Sequence, residues 1–126
     1  MPTLDPAQHS SFRYVVLRHD AIPEPHFDLM FEPDSDSPLL TWRSPRWPLQ
    51  SGDYVQEMPE HRRIYLDYQG PVSNGRGYVT RVHAGRYRSD AKDSARFEAT
   101  LEDGSALILR RDNSDQWIVI VRKEKK

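Results

Sequence analysis

Two histidines and an aspartate stand close together near the start of this chain, at His19, His26 and Asp28. Alternate residues of a β-strand share a face. Read as a strand, His26-Phe27-Asp28-Leu29-Met30-Phe31-Glu32 puts His26, Asp28, Met30 and Glu32 on one side and Phe27, Leu29 and Phe31 on the other. His26 and Asp28 are then about 7 Å apart at the backbone, near enough for both side chains to converge on one divalent ion. His19, across a short turn, adds a second imidazole. Two histidines and a carboxylate suit Mn²⁺, Fe²⁺ or Zn²⁺ and leave coordination positions open for water and substrate. The competing reading is a solvated polar face, because a His-x-Asp pair by itself is a weak signal.

A second segment, His61-Arg62-Arg63-Ile64-Tyr65-Leu66-Asp67, has the same alternation. As a strand it groups His61, Arg63, Tyr65 and Asp67 opposite Ile64 and Leu66. His61 and Tyr65 can donate to a phosphate oxygen or act as a general acid; the alternative is an exterior face in water. Other residues offer less. His9 lies in the N-terminal arm, and His83, between Val82 and Ala84, reads as a surface residue. The stretch Gly70-Pro71-Val72-Ser73-Asn74-Gly75-Arg76-Gly77 has no phosphate-loop lysine and reads as a turn. Trp42, Trp47 and Trp117 read as core or rim packing, with Trp47 in an irregular loop the most exposed. There is no Gly-x-Ser-x-Gly and no cysteine, which excludes disulfides and thiolate ligands and leaves no indicated covalent nucleophile.

Strands must position these groups. Residues 12–19 are β-branched and aromatic without a helical period. Further strands are expected at 26–32, 39–43, 62–69, 77–88, 94–101, 105–111 and 116–122, with 44–59 irregular. Asp103-Gly104 is a hairpin signal, and Asp112-Asn113-Ser114-Asp115 reads as a second turn. Ten prolines and six glycines along 126 residues oppose long helices. With 37% hydrophobic and 29% charged residues, the composition fits one globular domain. A net charge of −1 gives no bulk attraction to nucleic acid, so phosphate binding must come from a local cluster. No apolar run approaches the roughly 18 residues a membrane helix needs. The expectation is a soluble cytoplasmic monomer: a flexible arm at 1–11, a compact antiparallel β-barrel of about eight strands over 12–122 with a polar groove on one side, and a charged tail at 123–126. Closure into a barrel removes exposed strand edges.

Taken in order, the segments resemble a known family, the 3′-phosphoesterase domain of bacterial DNA ligase D, which also occurs free-standing. Its pattern runs from a strand ending in histidine to His-Tyr-Asp-Phe-Arg-Leu-Glu, then Ser-Trp-x-x-Pro-Lys-Gly-Pro, then His-Pro-x-x-Tyr. The matching stretches here are Tyr14 to Asp20, His26 to Glu32, Thr41-Trp42-Arg43-Ser44-Pro45-Arg46-Trp47-Pro48, His61 to Gly70 and Gly85-Arg86-Tyr87. The similarity spans roughly residues 12–122. It implies a β-barrel with a manganese-dependent activity that removes a ribonucleoside and then a phosphate from 3′ ends of a primer strand. It further implies DNA or primer-template ends as substrate and a ligase or polymerase as repair partner. Metal ligands would fall on His19, His26 and Asp28, catalytic phosphate contacts on His61 and Tyr65, and the basic residue of the third segment on Arg46. Zn²⁺ or another divalent ion is a chemical alternative to Mn²⁺.

Three departures stand out. Met30 replaces the family's phosphate-contacting arginine. The turn between His19 and His26 is one residue longer, and the functional acidic and basic residues of the family's arm have no counterpart in Met1 to Ser11. Arg63 is the expected compensating cation, pointing into the His/Asp groove, with Arg43 and Arg46 as alternatives. If none reaches the groove, the expectation becomes a non-catalytic relative that binds phosphate ends or a repair partner.

Overall fold

A computed structural model describes residues 11–123; the expected arm and tail, with His9, otherwise lie outside the described residues. Nine strands follow in chain order: β1 (Ser11–Asp20), β2 (His26–Phe31), β3 (Leu39–Ser44), β4 (Tyr54–His61), β5 (Gly70–Pro71), β6 (Tyr78–Asp93), β7 (Arg96–Leu101), β8 (Ala106–Asn113) and β9 (Gln116–Arg122). All pairings are antiparallel, in the order β1-β2-β3-β4-β9-β8-β7-β6, and β1 pairs back onto β6 to close the ring. The short β5 adds to the start of β6. The expected antiparallel barrel is therefore the observed fold, and no helix among the described residues is long and apolar enough to cross a membrane.

Strand alternation sends one face inward. Tyr14, Val16, Leu29, Phe31, Trp42, Phe97, Trp117 and Val119 fill the barrel. Phe31 is fully buried, with its ring centroid 4.9 Å from Phe97 and 5.2 Å from Tyr87. The outer face of β1–β3 is apolar too: Val15, Leu17, Met30 and Leu39 form a second cluster beneath Leu66, Tyr65, Tyr68 and Val72. Being covered on both sides explains the unbroken apolar run Tyr14-Val15-Val16-Leu17 in β1, since neither face can be polar.

Two expectations are corrected. Residues 62–69 are not a strand: Arg63–Leu66 form a 3₁₀ turn, with Tyr65 N–H donating to Arg62 O and Asp67 N–H to Ile64 O. Ile64 is exposed and Leu66 buried, so the two do not share the common face that strand alternation assigns them. The stretch expected to be irregular contains β4, which supplies the eighth barrel strand instead. It pairs with β3 along Arg43 to Leu39, but with β9 only over Tyr54–Gln56. This seam is the narrowest in the ring.

Candidate metal and phosphate site

His26 and Asp28 sit on the outer face of β2, and His19 pairs directly across from His26 near the end of β1. Each of the three offers a ligand atom, and these atoms lie within 4.8 Å of one another. The His19 and His26 ring centroids are 5.0 Å apart. The turn from Ala21 to Pro25 folds His26 back onto the chain, and its Nδ1 donates to Glu24 O at 2.9 Å. His19 Nε2 donates to Arg76 O at 2.6 Å. A carbonyl can only accept, so each contact sets a tautomer. The neutral rings keep their lone pairs on His19 Nδ1 and His26 Nε2. Metal-binding histidines are characteristically oriented in this way by a second hydrogen bond.

His26 Nε2 is buried and has no hydrogen-bond partner. It lies 3.4 Å from Asp28 Oδ2. A buried polar atom without a partner is costly, and this one stands within 4.8 Å of ligand atoms on a carboxylate and a second imidazole. The donor set and this orphan nitrogen together fit a divalent cation.

Arg43 stands opposite Asp28 in the β2–β3 register, and its Nε donates to Asp28 Oδ1 at 3.1 Å. Burial pushes the Asp28 carboxyl up, but His26 and Arg43 outweigh it and hold it below the ordinary range. The neighbouring Asp28 carboxylate in turn raises the His26 imidazole, against the opposing effect of burial, so a cation binding at Nε2 displaces a proton from it. Asp28 is thus kept ionised and ready to bind a cation.

Gly77 makes room for His19. Its φ is +87°, and a Cβ there would lie 2.3 Å from Asp20 O and 3.1 Å from His19 Nε2. The glycine-containing stretch that reads as a plain turn therefore delivers the Arg76 carbonyl to His19. Its signal was the glycine itself, at a position where L-residues are strained.

The remaining predicted residues lie elsewhere. Met30 is buried in the outer apolar cluster. Arg63 does not point into the groove: it is ion-paired with Glu32 and donates to Ser37 O at 2.9 Å and Asp34 O at 3.1 Å. Arg46 is paired with Asp53. His61 and Tyr65 do come together, with ring centroids 6.1 Å apart, but His61 lines a hollow with Arg62 and Arg63, and Tyr65 another with Ile64 and Tyr68. The hollow beside His26 and Arg43 contains neither. His83 is a surface residue, bonded to the Tyr14 hydroxyl at 2.7 Å beside a half-buried Trp47.

No family model matches this chain, and neither does any curated protein.

Proposed function

We propose that this protein is a metal-dependent phosphoesterase-like protein acting on 3′-phosphate or 3′-ribonucleotide ends of nucleic acid. The observation that carries the reading is the buried, unpartnered His26 Nε2 facing Asp28, with Arg43 bound to that same carboxylate. A divalent ion held by His19, His26 and Asp28, Mn²⁺ by the family resemblance, would supply Lewis-acid polarisation of a phosphoryl oxygen. Arg43 supplies the cation that Met30 cannot. Its Nε is used on Asp28, and its two terminal nitrogens have no hydrogen-bond partner among the described residues. A guanidinium fixed on one side presents the other as a fork for phosphate oxygens. The paired carbonyls of Glu24 and Arg76 hold both imidazoles in their lone-pair-forward tautomers.

One observation favours a second reading. His61 and Tyr65, the family-implied acid and phosphate contacts, lie outside the hollow that His26 and Arg43 line. A protein so built binds a phosphate end without cleaving it. The test is a 3′-phosphorylated primer–template incubated with Mn²⁺. Phosphate release that disappears in His26→Ala supports the enzyme. Metal-dependent binding of the end without release supports the non-catalytic relative. Absence of any metal binding overturns both.

A further inference from the structure

A groove of about 720 Å³ begins at His26, the member of the candidate metal cluster that lines it, and at Arg43, and crosses the seam between β4 and β9. Tyr54, Gln56 and Gln116 line it from β4 and β9, and Pro23, Pro25 and Pro45 also line it. Tyr54 is 45% exposed and takes no part in the core, so its ring is open to a ligand in the groove. Gln56 pairs with Arg43 across β3–β4, so Tyr54 lies two residues further along the same strand. The diagonal from Arg43 to Tyr54 across this strand pair is roughly 7–8 Å at the backbone, comparable with the reach from a phosphate to the base of its own nucleotide.

Charge decides how many phosphates the groove can take. Arg43 is the one Lys or Arg side chain lining it among the described residues, while Glu24 and Asp115 also line it. Glu24 lies two residues before His26, and Asp115 Oδ2 accepts at 2.9 Å from Gln56 Nε2 on the register partner of Arg43, so the cation stands between two acidic residues. A track for several backbone phosphates needs a row of cations. This groove has a single arginine, two acidic residues and one aromatic ring. We infer that it is a subsite for one terminal nucleoside carrying a single phosphate, with the phosphate at Arg43 and the metal cluster and the base stacked on Tyr54.

This rests on the phosphate-site reading above and narrows it from nucleic-acid ends in general to one terminal unit. The same chemistry is offered by a free nucleoside 3′-monophosphate and by the 3′-phosphorylated end of a strand. Base stacking on an aromatic side chain typically strengthens binding on the order of tenfold.

The experiment measures competition by inorganic phosphate, a nucleoside 3′-monophosphate and a short single strand ending in 3′-phosphate, on Mn²⁺-loaded protein. A fluorescent 3′-phosphorylated oligonucleotide is the probe. The expected result is that the nucleotide binds about tenfold more tightly than phosphate, that Tyr54→Ala removes this advantage without changing phosphate affinity, and that Tyr54→Phe keeps it. A strand that binds no better than the nucleotide confirms a single-unit site; a strand that binds at least tenfold better shows further phosphate contacts and overturns it. Equal affinity for nucleotide and phosphate in the wild type also overturns the subsite while leaving the metal and phosphate site intact. Loss of probe and phosphate binding altogether identifies failure of the underlying reading instead.

Discussion

Two polar clusters occupy opposite ends of the same outer sheet face, and they are built on contrary lines. At one end His19, His26, Asp28 and Arg43 leave a buried nitrogen and two guanidinium donors uncommitted among the described residues. At the other, four residues along β2 and so roughly 13 Å away, every group of Glu32 is spent. Its Oε1 accepts from Arg13 N–H at 2.7 Å, its N–H donates to Arg13 O at 2.9 Å, its Oε2 pairs with Arg63, and its carbonyl accepts the Tyr87 hydroxyl. Arg13 completes the clamp by reaching Asp67 at 2.7 Å and Leu66 O at 3.2 Å. The saturated cluster pins the 3₁₀ turn across β1 and β2. Similar residue types are thus spent on architecture at one end and left uncommitted at the other.

The comparison is broken most forcefully at Glu32. Glu32→Ala removes a buried carboxylate and strands both Arg63 and the Arg13 amide; stability should fall by about 3 kcal/mol, measured by urea unfolding. Mn²⁺ affinity of the protein that remains folded should be unchanged. If Glu32→Ala were neutral, the clamp would not be structural.

At the open end the sign reverses. His26→Ala should weaken Mn²⁺ binding on the order of 100-fold by isothermal titration, while stability in the absence of metal falls by only about 1 kcal/mol, the scale of the Nδ1–H bond to Glu24 O that goes with it. A large loss of metal-free stability would show that this cluster is structural too.

Arg43→Ala sharpens the assignment of charge. Phosphate affinity of the Mn²⁺ form should drop about tenfold, the scale of a charge-assisted hydrogen-bond pair, with metal still bound. Arg43→Lys should restore only part of it, since an ammonium lacks the fork.

The smallest effect is expected at the rim of the clamp. Arg13 holds the Asp67 carboxyl below its ordinary range. A depressed folded-state carboxylate contributes stability above the unfolded pKa, and that contribution is lost as pH falls through the folded value. Asp67 is 74% exposed at its side chain, so solvent screens the pair. Asp67→Asn should cost only about 0.3 kcal/mol at neutral pH and nothing measurable in acid.

How much of this was legible in the sequence depends on the range of the deciding contact. The β2 face was plain, because Phe27, Leu29 and Phe31 alternate with His26, Asp28 and Glu32, Met30 being the one apolar exception, and local pleating settles the rest. Residues 61–67 alternate as well, but the 3₁₀ turn is anchored by Arg63 to Glu32, Asp34 and Ser37, partners 26 to 31 residues distant. No local pattern encodes that. β4 escaped notice because Pro59 and polar residues interrupt it and because Val55 is its single fully buried apolar residue. Of the site, the three ligand-type residues were visible from type and spacing. The two carbonyls that orient the histidines and the placement of Arg43 opposite Asp28 depend on register.

The narrow join between β4 and β9 has a kinetic consequence. A closed ring opens first where fewest backbone bonds must break, so amides of residues 54–56 and 116–118 should exchange with solvent faster than those of β1 and β2, buried on both sides. Tyr54, Gln56 and Gln116 face the groove from both banks of that join. A nucleotide lying across it acts as a staple, and occupancy should slow exchange there in proportion to 1 + [ligand]/Kd. Deuterium uptake would then report ligand capture as a change in the breathing of the barrel wall, whether or not any bond in the ligand is cut.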